Sequence, residues 1–71
     1  MAKRIVVLGA GISGVGAAVL AKKKECEVFV SEKGKITEDN KHILLINAID
    51  WEENNHTFDK ILNADEVIKS P

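Results

Sequence analysis

The chain has 71 residues, of which 45% are hydrophobic and 30% charged, and its formal net charge is −1. This length predicts one small domain, and the near-neutral charge excludes the strongly basic character typical of proteins that bind nucleic acid or anionic membranes. Its apolar runs are too short for a signal peptide or a membrane span, and its single cysteine excludes an internal disulfide, so we expect a cytoplasmic protein.

The first predicted element is a short strand over Ile5–Leu8, whose unbroken apolar run is typical of a central parallel strand. Three glycines follow it in the pattern G-x-G-x-x-G, at Gly9, Gly11 and Gly14, and a helix-forming stretch comes next. A strand, this glycine pattern and a helix together indicate the first turn of a nucleotide-binding βαβ unit.

Each glycine has its own role in such a unit. Gly9 lets the chain turn off the strand, Gly11 lets a diphosphate approach the backbone, and Gly14 lets the helix lie close to the strand. The N–H groups at the start of the helix attract an anion, because they have no acceptor within the helix. We therefore predict a diphosphate-binding loop over residues 9–14; the alternative is a glycine-rich turn with a purely structural role.

The first helix is predicted from Ser13 to Lys24. Apolar residues at helical spacing are expected to form its sheet-facing side, namely Ile12, Val15, Ala18, Val19 and Ala21. The three consecutive lysines at its carboxyl end suit the negative end of the helix dipole, and we interpret them as solvated.

The second strand is predicted over Glu27–Ser31, and Glu32 follows at its carboxyl end. A Rossmann-type unit places an acid at about this distance after the glycine pattern, where it accepts hydrogen bonds from a ribose or a base. We therefore predict that Glu32 contacts a nucleoside; the alternative interpretation is a surface glutamate.

Two shorter elements are predicted next. Thr37 has the chemistry of a helix N-cap, and the helix that it begins is expected over residues 38–44, with Ile43 and Leu44 on its apolar side. The apolar residues over 45–49 predict a short third strand.

A polar connection is predicted over residues 50–55, and Trp51 within it is expected to cover the margin of the sheet. Thr57 is predicted to cap a third helix, which ends near Asn63. A fourth strand is predicted over Glu66–Lys69.

These elements predict an α/β fold with a Rossmann-like parallel sheet, in the order β-α-β-α-β-α-β. Right-handed crossovers then give the strand order 3-2-1-4. Because such a sheet normally continues past its fourth strand, we expect residues 1–71 to be one truncated domain of a longer protein.

No set of side chains has the spacing of a metal site or of a catalytic nucleophile. Cys26, His42 and His56 lack metal-ligand spacing; the cysteine is expected to be partly buried and inert, and the histidines exposed and polar. Ser13 lacks the context of a hydrolase serine and is expected to contact an oxygen of the ligand or to cap the helix.

A binding surface is the remaining functional prediction. Glu52 and Glu53 precede a predicted helix and are expected to favour its dipole rather than to act as acid and base. The loop over residues 9–14, the strand end at 31–33 and the strand end at 70–71 all belong to the carboxyl edge of the sheet, where open α/β sheets bind ligands.

Three classes of ligand fit this surface. Glu32 favours a dinucleotide with a free ribose 2′-hydroxyl, such as NAD or FAD. Lys33 and Lys35 instead suit the additional phosphate of NADP. A uridine diphosphate sugar is the third candidate, with its diphosphate on the loop and its uracil or ribose at Glu32.

Two stretches carry a resemblance to a known family. Residues 7–14, VLGAGISG, and residues 64–71, ADEVIKSP, resemble the amino terminus of the Mur ligase family, specifically of the UDP-N-acetylmuramoyl-L-alanine–D-glutamate ligases. The similarity spans essentially the whole chain. It implies a Rossmann-like domain that holds a UDP-muramoyl substrate rather than NAD.

The resemblance also implies roles for individual residues. The diphosphate would be held by Gly11, Ile12, Ser13 and Gly14. The uridine would be held by Glu32 with Lys33, and Ser70 would line the site near the sugar. This chain departs from the family pattern at two positions: the family usually has aspartate where Glu32 stands, and Gly34 stands where the family has a basic residue, so that Lys33 or Lys35 would have to substitute.

For the longer protein, the resemblance implies a ligase that joins D-glutamate to UDP-N-acetylmuramoyl-L-alanine through an acyl phosphate, with ATP and Mg²⁺. Such an enzyme acts in peptidoglycan synthesis, and hence in cell-wall biogenesis, cell shape and cell division. The present chain is expected to hold the UDP-sugar substrate, to contain no catalytic residue, cofactor or metal of its own, and to be inactive alone.

Two other classes of function stay open. One is a module that binds NAD(P) or FAD in an oxidoreductase or a regulatory protein. The other is an interaction piece, because an exposed edge strand invites pairing and predicts a possible edge-strand dimer.

Overall fold

The structure, a computed structural model, describes residues 2–69. Strands and helices alternate along the chain: β1 Arg4–Leu8, α1 Ile12–Lys23, β2 Glu27–Ser31, α2 Glu38–Ile46, β3 Asp50–Glu52, α3 Phe58–Leu62 and β4 Glu66–Lys69. The predicted bounds of β2 and β4 are confirmed, and β1 begins one residue earlier than predicted.

All strand pairs are parallel, and the sheet has the order β3-β2-β1-β4. The predicted α/β fold and strand order are therefore confirmed. Val6 at the centre of β1 pairs with Phe29 on β2 and with Val67 on β4. This register brings the carboxyl ends of all the strands to one edge of the sheet.

The core lies between the sheet and the helices α1 and α2. Alternate strand residues contribute to it, because successive side chains of a strand lie on opposite faces. The buried members of this cluster are Ile5, Val7, Ala10, Val15, Ala18, Ala21, Val28, Val30, Ile36, Leu44 and Ile49. Each large aliphatic side chain buried in this way stabilises the fold by about 1.5–3 kcal/mol relative to an exposed one.

Helix α1 begins at Ile12, one residue before the predicted start, and the prediction that Ile12 faces the sheet is wrong. Its side chain is 89% exposed, because the first residue of the helix lies beyond the ends of the strands. Burial begins at Gly14 and recurs at Val15, Ala18 and Ala21, which is helical spacing.

The predicted third strand over residues 45–49 is wrong. Helix α2 continues through Ile46, and a turn with Ala48 at φ 56° leads to β3 at residues 50–52. Leu44 and Ile49 are buried, whereas Leu45 is 65% exposed. A short apolar run is compatible both with a buried strand and with a helix that has one buried face. Here the turn at Ala48 shows that the first residues of the run end a helix.

The predicted cap of α2 is confirmed. For α3, the predicted residue stands at the N-cap position but does not make the capping hydrogen bond. Thr37 Oγ1 accepts a hydrogen bond from the N–H of Asn40 at 3.2 Å. Thr57 stands at the N-cap of α3, but its hydroxyl makes no cap bond and donates instead to Glu52. Ile43, predicted beside Leu44 on the apolar side of α2, lies at the rim of the core with 36% exposure.

Helix α3 covers the other face of the sheet. Lys60 lies 4.7 Å from the ring centroid of Phe29, whose neighbours along β2 face the α1 side. Trp51 lies on β3 rather than in a connection, and it packs against the core at the sheet margin as predicted. No helix within residues 2–69 is both long and apolar enough to cross a membrane.

Candidate functional site

The loop after β1 and the end of β2 meet at the carboxyl edge of the sheet. Gly9 adopts φ 103°, a conformation that favours glycine, and its N–H donates to the carbonyl of Ser31 at 2.8 Å. One residue further, the N–H of Ala10 donates to Glu32 Oε1 at 2.7 Å. The structure thus brings together the glycine loop and Glu32, as the sequence predicts.

An open space lies over the start of α1. A Cβ built on Gly11, the N-cap residue, would meet no atom within 4 Å, and its φ of −77° is open to any residue. Ile12 and Ser13 are exposed, and the Ser13 hydroxyl makes no cap bond. Gly14 is buried, in agreement with its predicted role in the close packing of the helix.

The N–H groups of residues 11–14 belong to the N-terminus of α1, beside this space. Within the described residues 2–69, none of them donates to a side chain or to a carbonyl outside the helix. The partial positive charge of a helix N-terminus is therefore exposed to solvent there, and the absence of a Cβ at Gly11 leaves room for an anion.

Glu32 joins two loops. Its Oε1 accepts from Ala10 N–H, and its Oε2 accepts from Gly34 N–H at 2.8 Å. The hydrogen bond from Ala10, then that from Gly34, lowers the pKa of Glu32. The carboxylate is therefore ionised at neutral pH and retains further lone pairs that can accept from a ligand.

Two lysines among the remaining predicted contacts follow Glu32 along the chain. Lys33 and Lys35 are exposed beside it on the loop that follows β2. Ser70, predicted near the sugar, lies outside the described residues.

Glu52 is the residue of the site that sequence reasoning missed. Its carboxylate accepts from Ser31 Oγ at 2.9 Å, from Thr57 N–H at 2.8 Å and from Thr57 Oγ1 at 2.6 Å. Burial would raise the pKa of Glu52, but the hydrogen bonds from Thr57 and Ser31 outweigh it and lower the pKa. The predicted role in the dipole of α3 is thus replaced by an anchor between β2, β3 and the loop before α3.

Glu53 has a similar anchoring role on the α2 side. It pairs with Lys41 Nζ at 2.8 Å and accepts from Ile36 N–H at 2.9 Å. The side-chain bond with Lys41 is the largest cause that lowers the pKa of Glu53. The only sequence signal for either anchor is a pair of adjacent acids at the end of β3, which is too common to be specific.

His56 is half-buried, not exposed as predicted, because its Nδ1 lies 2.5 Å from the buried Ser31 Oγ. His42 is exposed and Cys26 partly buried, as predicted. Among the residues that the structure describes, no three His, Cys, Asp or Glu side chains are grouped to hold a metal ion.

Comparisons with known proteins agree on one family. The family model described as the MurD N-terminal domain matches residues 4–71. Relatives named UDP-N-acetylmuramoylalanine–D-glutamate ligase include those of Bacteroides thetaiotaomicron (61% identical over 97% of this chain and 16% of the relative) and Christiangramia forsetii (52%, over 100% and 16%). The ligase of Chlorobium phaeobacteroides is 36% identical over 97% of this chain and 15% of its own length. The chain thus spans about one sixth of the curated relatives that it matches. No solved structure matches it.

Proposed function

The chain belongs to the family of MurD N-terminal domains, and on this premise we propose that it binds the UDP part of UDP-N-acetylmuramoyl-L-alanine. The relatives are named for a ligase that combines this compound with D-glutamate. In this proposal, residues 1–71 form a Rossmann-like domain that holds the nucleotide end of the substrate, and the ligation takes place elsewhere in a longer protein.

One observation carries the proposal: the open space at the start of α1, bounded by Gly11 and by the N–H groups of residues 11–14. A diphosphate carries negative charge on oxygens that accept hydrogen bonds, and the exposed N–H groups are its natural donors. Ser13 adds a hydroxyl that can donate to a phosphate oxygen.

In this proposal the uridine lies at the end of β2. Glu32 accepts a hydrogen bond from Ala10 in the loop. The ribose or base of a ligand whose diphosphate lies on the loop is therefore close to this carboxylate. Lys33 follows directly and supplies a positive charge beside the diphosphate. Ser70 is proposed to line the sugar end on family grounds alone.

For the longer protein we propose ATP-dependent ligation in the cytoplasm, with the carboxylate of the UDP substrate activated as an acyl phosphate before attack by the amine of D-glutamate. ATP and Mg²⁺ would be held outside this chain. Within residues 2–69, the acids with lowered pKa at the site are engaged as anchors. We therefore expect residues 1–71 to bind substrate and to be catalytically inactive alone.

The test compares Gly11→Val with the matched control Gly16→Val. Neither Cβ meets an atom within 4 Å, so both variants are expected to fold. Only the side chain at Gly11 occupies the proposed diphosphate space, so Gly11→Val is expected to abolish UDP binding while Gly16→Val retains it. Backbone-amide NMR titrations with UDP measure this, through the shifts of residues 11–14.

Parallel titrations with NAD and NADP separate the alternatives. Binding of UDP, but not of the dinucleotides, supports the proposal. If only a dinucleotide shifts the loop amides, the chain is a dinucleotide-binding module instead. A folded Gly11→Val protein that binds UDP as tightly as the wild type would refute the placement of the diphosphate.

A further inference from the structure

A chain of polar side chains joins the end of β2 to the loop before α3. His56 Nδ1 contacts Ser31 Oγ, and Ser31 Oγ contacts Glu52 Oε2 at 2.9 Å. Ser31 is fully buried, at 0% exposure, so its hydroxyl has no alternative partner in bulk water. The positions of the hydrogens in this chain follow from a count of donors and acceptors.

Ser31 has one hydroxyl hydrogen, and three acceptors lie within reach of it. Glu52 is a carboxylate at 2.9 Å, the carbonyl of Asn55 is at 3.3 Å, and the third is His56 Nδ1 if that nitrogen carries no hydrogen. An ionised carboxylate has no hydrogen to donate, so the contact between Ser31 and Glu52 is attractive only if Ser31 donates. The contact with His56 must then receive its hydrogen from the histidine.

This assignment determines the tautomer of His56. The hydrogen stands on Nδ1 and is donated to Ser31 Oγ, which leaves Nε2 of the neutral ring as an acceptor. Within residues 2–69, no donor contacts Nε2. The Nε2 atom of the neutral histidine is therefore an acceptor that is accessible to solvent and free to bind a ligand.

His56 is held beside Glu32. The N–H of the preceding residue, Asn55, donates to the carbonyl of Glu32 at 3.2 Å, and Ser31, the last residue of β2, directly precedes Glu32. The N–H of Glu32 in turn donates to the carbonyl of Glu52 at 3.0 Å. The loop that carries His56 is thus bonded to the strand end at which the proposed function places the uridine.

We propose that His56 is a specificity residue for the nucleoside: its Nε2 accepts a hydrogen bond from an N–H or O–H group of the bound uridine, while its Nδ1–H is fixed by Ser31. This inference rests on the proposed binding of UDP. The ring nitrogen of uracil and the ribose hydroxyls are the donors of this kind that uridine carries. Ser31 and Glu52 act as positioning residues, because they determine which nitrogen of His56 carries the hydrogen.

Two substitutions of His56 separate the two nitrogens. The side-chain amide of His56→Asn replaces Nδ1–H as a donor to Ser31 but has no group at the position of Nε2. His56→Gln reaches the position of Nε2 with its amide oxygen and loses the donor to Ser31. We expect His56→Asn to weaken UDP binding by about three- to tenfold, the effect of one lost neutral hydrogen bond, and His56→Gln to bind more tightly than His56→Asn.

The stabilities of the two variants are expected to rank in the opposite order to their affinities for UDP. His56→Asn is expected to unfold at nearly the denaturant concentration of the wild type, and His56→Gln at a lower one, since only the latter leaves Ser31 without its donor. A purely structural histidine would instead make the less stable variant the weaker binder. That result, or unchanged UDP affinity in a folded His56→Asn protein, would overturn the proposal.

A UDP analogue methylated at the ring nitrogen of uracil identifies the donor. If the base N–H is the donor, the analogue binds wild type and His56→Asn with equal affinity. If a ribose hydroxyl is the donor, the substitution His56→Asn weakens binding of the analogue by the same factor as it weakens binding of UDP. Nitrogen-15 NMR of the His56 ring tests the tautomer without ligand, and a hydrogen on Nε2 with none on Nδ1 would overturn the assignment. Failure of the wild type to bind UDP, in contrast, refutes the proposed function itself and with it the ligand contact.

Discussion

Glu32 shows how a single carboxylate can organise a binding edge. Its oxygens accept from the N–H of Ala10 in the glycine loop and from the N–H of Gly34 after β2, so that two separate segments share one anion. An ionised oxygen bound by backbone N–H groups is a stronger acceptor than a neutral one. Glu32 therefore holds the glycine loop in place, in addition to its proposed contact with the ligand.

This arrangement predicts a pH-dependent contribution to stability. The pKa of Glu32 is lower in the folded chain than its ordinary value of 4.5, so the ionised form stabilises the fold above that pH, and the contribution is lost as the pH falls through the lowered pKa. Glu32→Gln removes the contribution, because the amide presents a donor to one of the two N–H groups. We expect its free energy of unfolding to be about 1 kcal/mol lower at pH 7.

Urea unfolding between pH 3 and pH 7 measures this effect. The stability curves of wild type and Glu32→Gln are expected to converge below about pH 4.5, the ordinary value for this group. Glu25→Gln is the control, since Glu25 is exposed and makes no side-chain bond within residues 2–69. A constant difference between wild type and Glu32→Gln across the whole range would contradict the assignment.

At the scale of elements, α2 is the helix whose extent depends on its packing. Thr37 begins this helix with a side-chain cap. The helix continues through Ile46, and among its apolar residues only Leu44 is fully buried, as expected for a helix with one face against the core. A strand over residues 45–49 would place alternate residues on the same face. The exposed Leu45 and the turn at Ala48 exclude that arrangement.

Neighbouring leucines test this boundary. Leu44→Ala removes a side chain with 0% exposure and is expected to lower the free energy of unfolding by about 2–5 kcal/mol. Leu45→Ala changes a side chain with 65% exposure and is expected to stay within about 0.5 kcal/mol of the wild type. Chemical denaturation of both variants measures the difference, and equal losses would contradict the helical placement of residues 45–46.

At the scale of the whole molecule, the two faces of the sheet are covered unequally. Helices α1 and α2 close a continuous core on one face. Helix α3 has only five residues and covers the other face thinly, with Phe58 at 73% and Leu62 at 78% exposure. Stability is therefore concentrated around β1 and β2, which pair on both sides.

This distribution predicts a gradient of amide hydrogen exchange. The slowest amides are expected in β1 and β2, intermediate ones in the edge strands β3 and β4, and the fastest in α3, because local opening requires less free energy where less apolar surface is buried. Native-state exchange followed by NMR measures the order. Protection of α3 amides equal to that of β1 would contradict the described packing.

Much of the fold was predictable because its signals are local. An apolar run, a glycine pattern and a helix-forming stretch follow each other within residues 5–24, and each satisfies a backbone requirement that neighbouring residues alone define. The end of β2 and the capping position of Thr37 have equally local causes. The third strand was mispredicted because an apolar run of five residues suits a strand and a half-buried helix alike.

The sequence by itself determined the loop at Gly9–Gly14, the order of the elements, the parallel sheet 3-2-1-4 and the position of Glu32 after β2. Only the tertiary structure decided what the polar side chains of the site contact. Ser31 lies more than twenty residues from both Glu52 and His56 along the chain, and their hydrogen bonds exist only because β2 and β3 are neighbours. Such partners follow from the geometry of the sheet, which no local pattern of residues encodes.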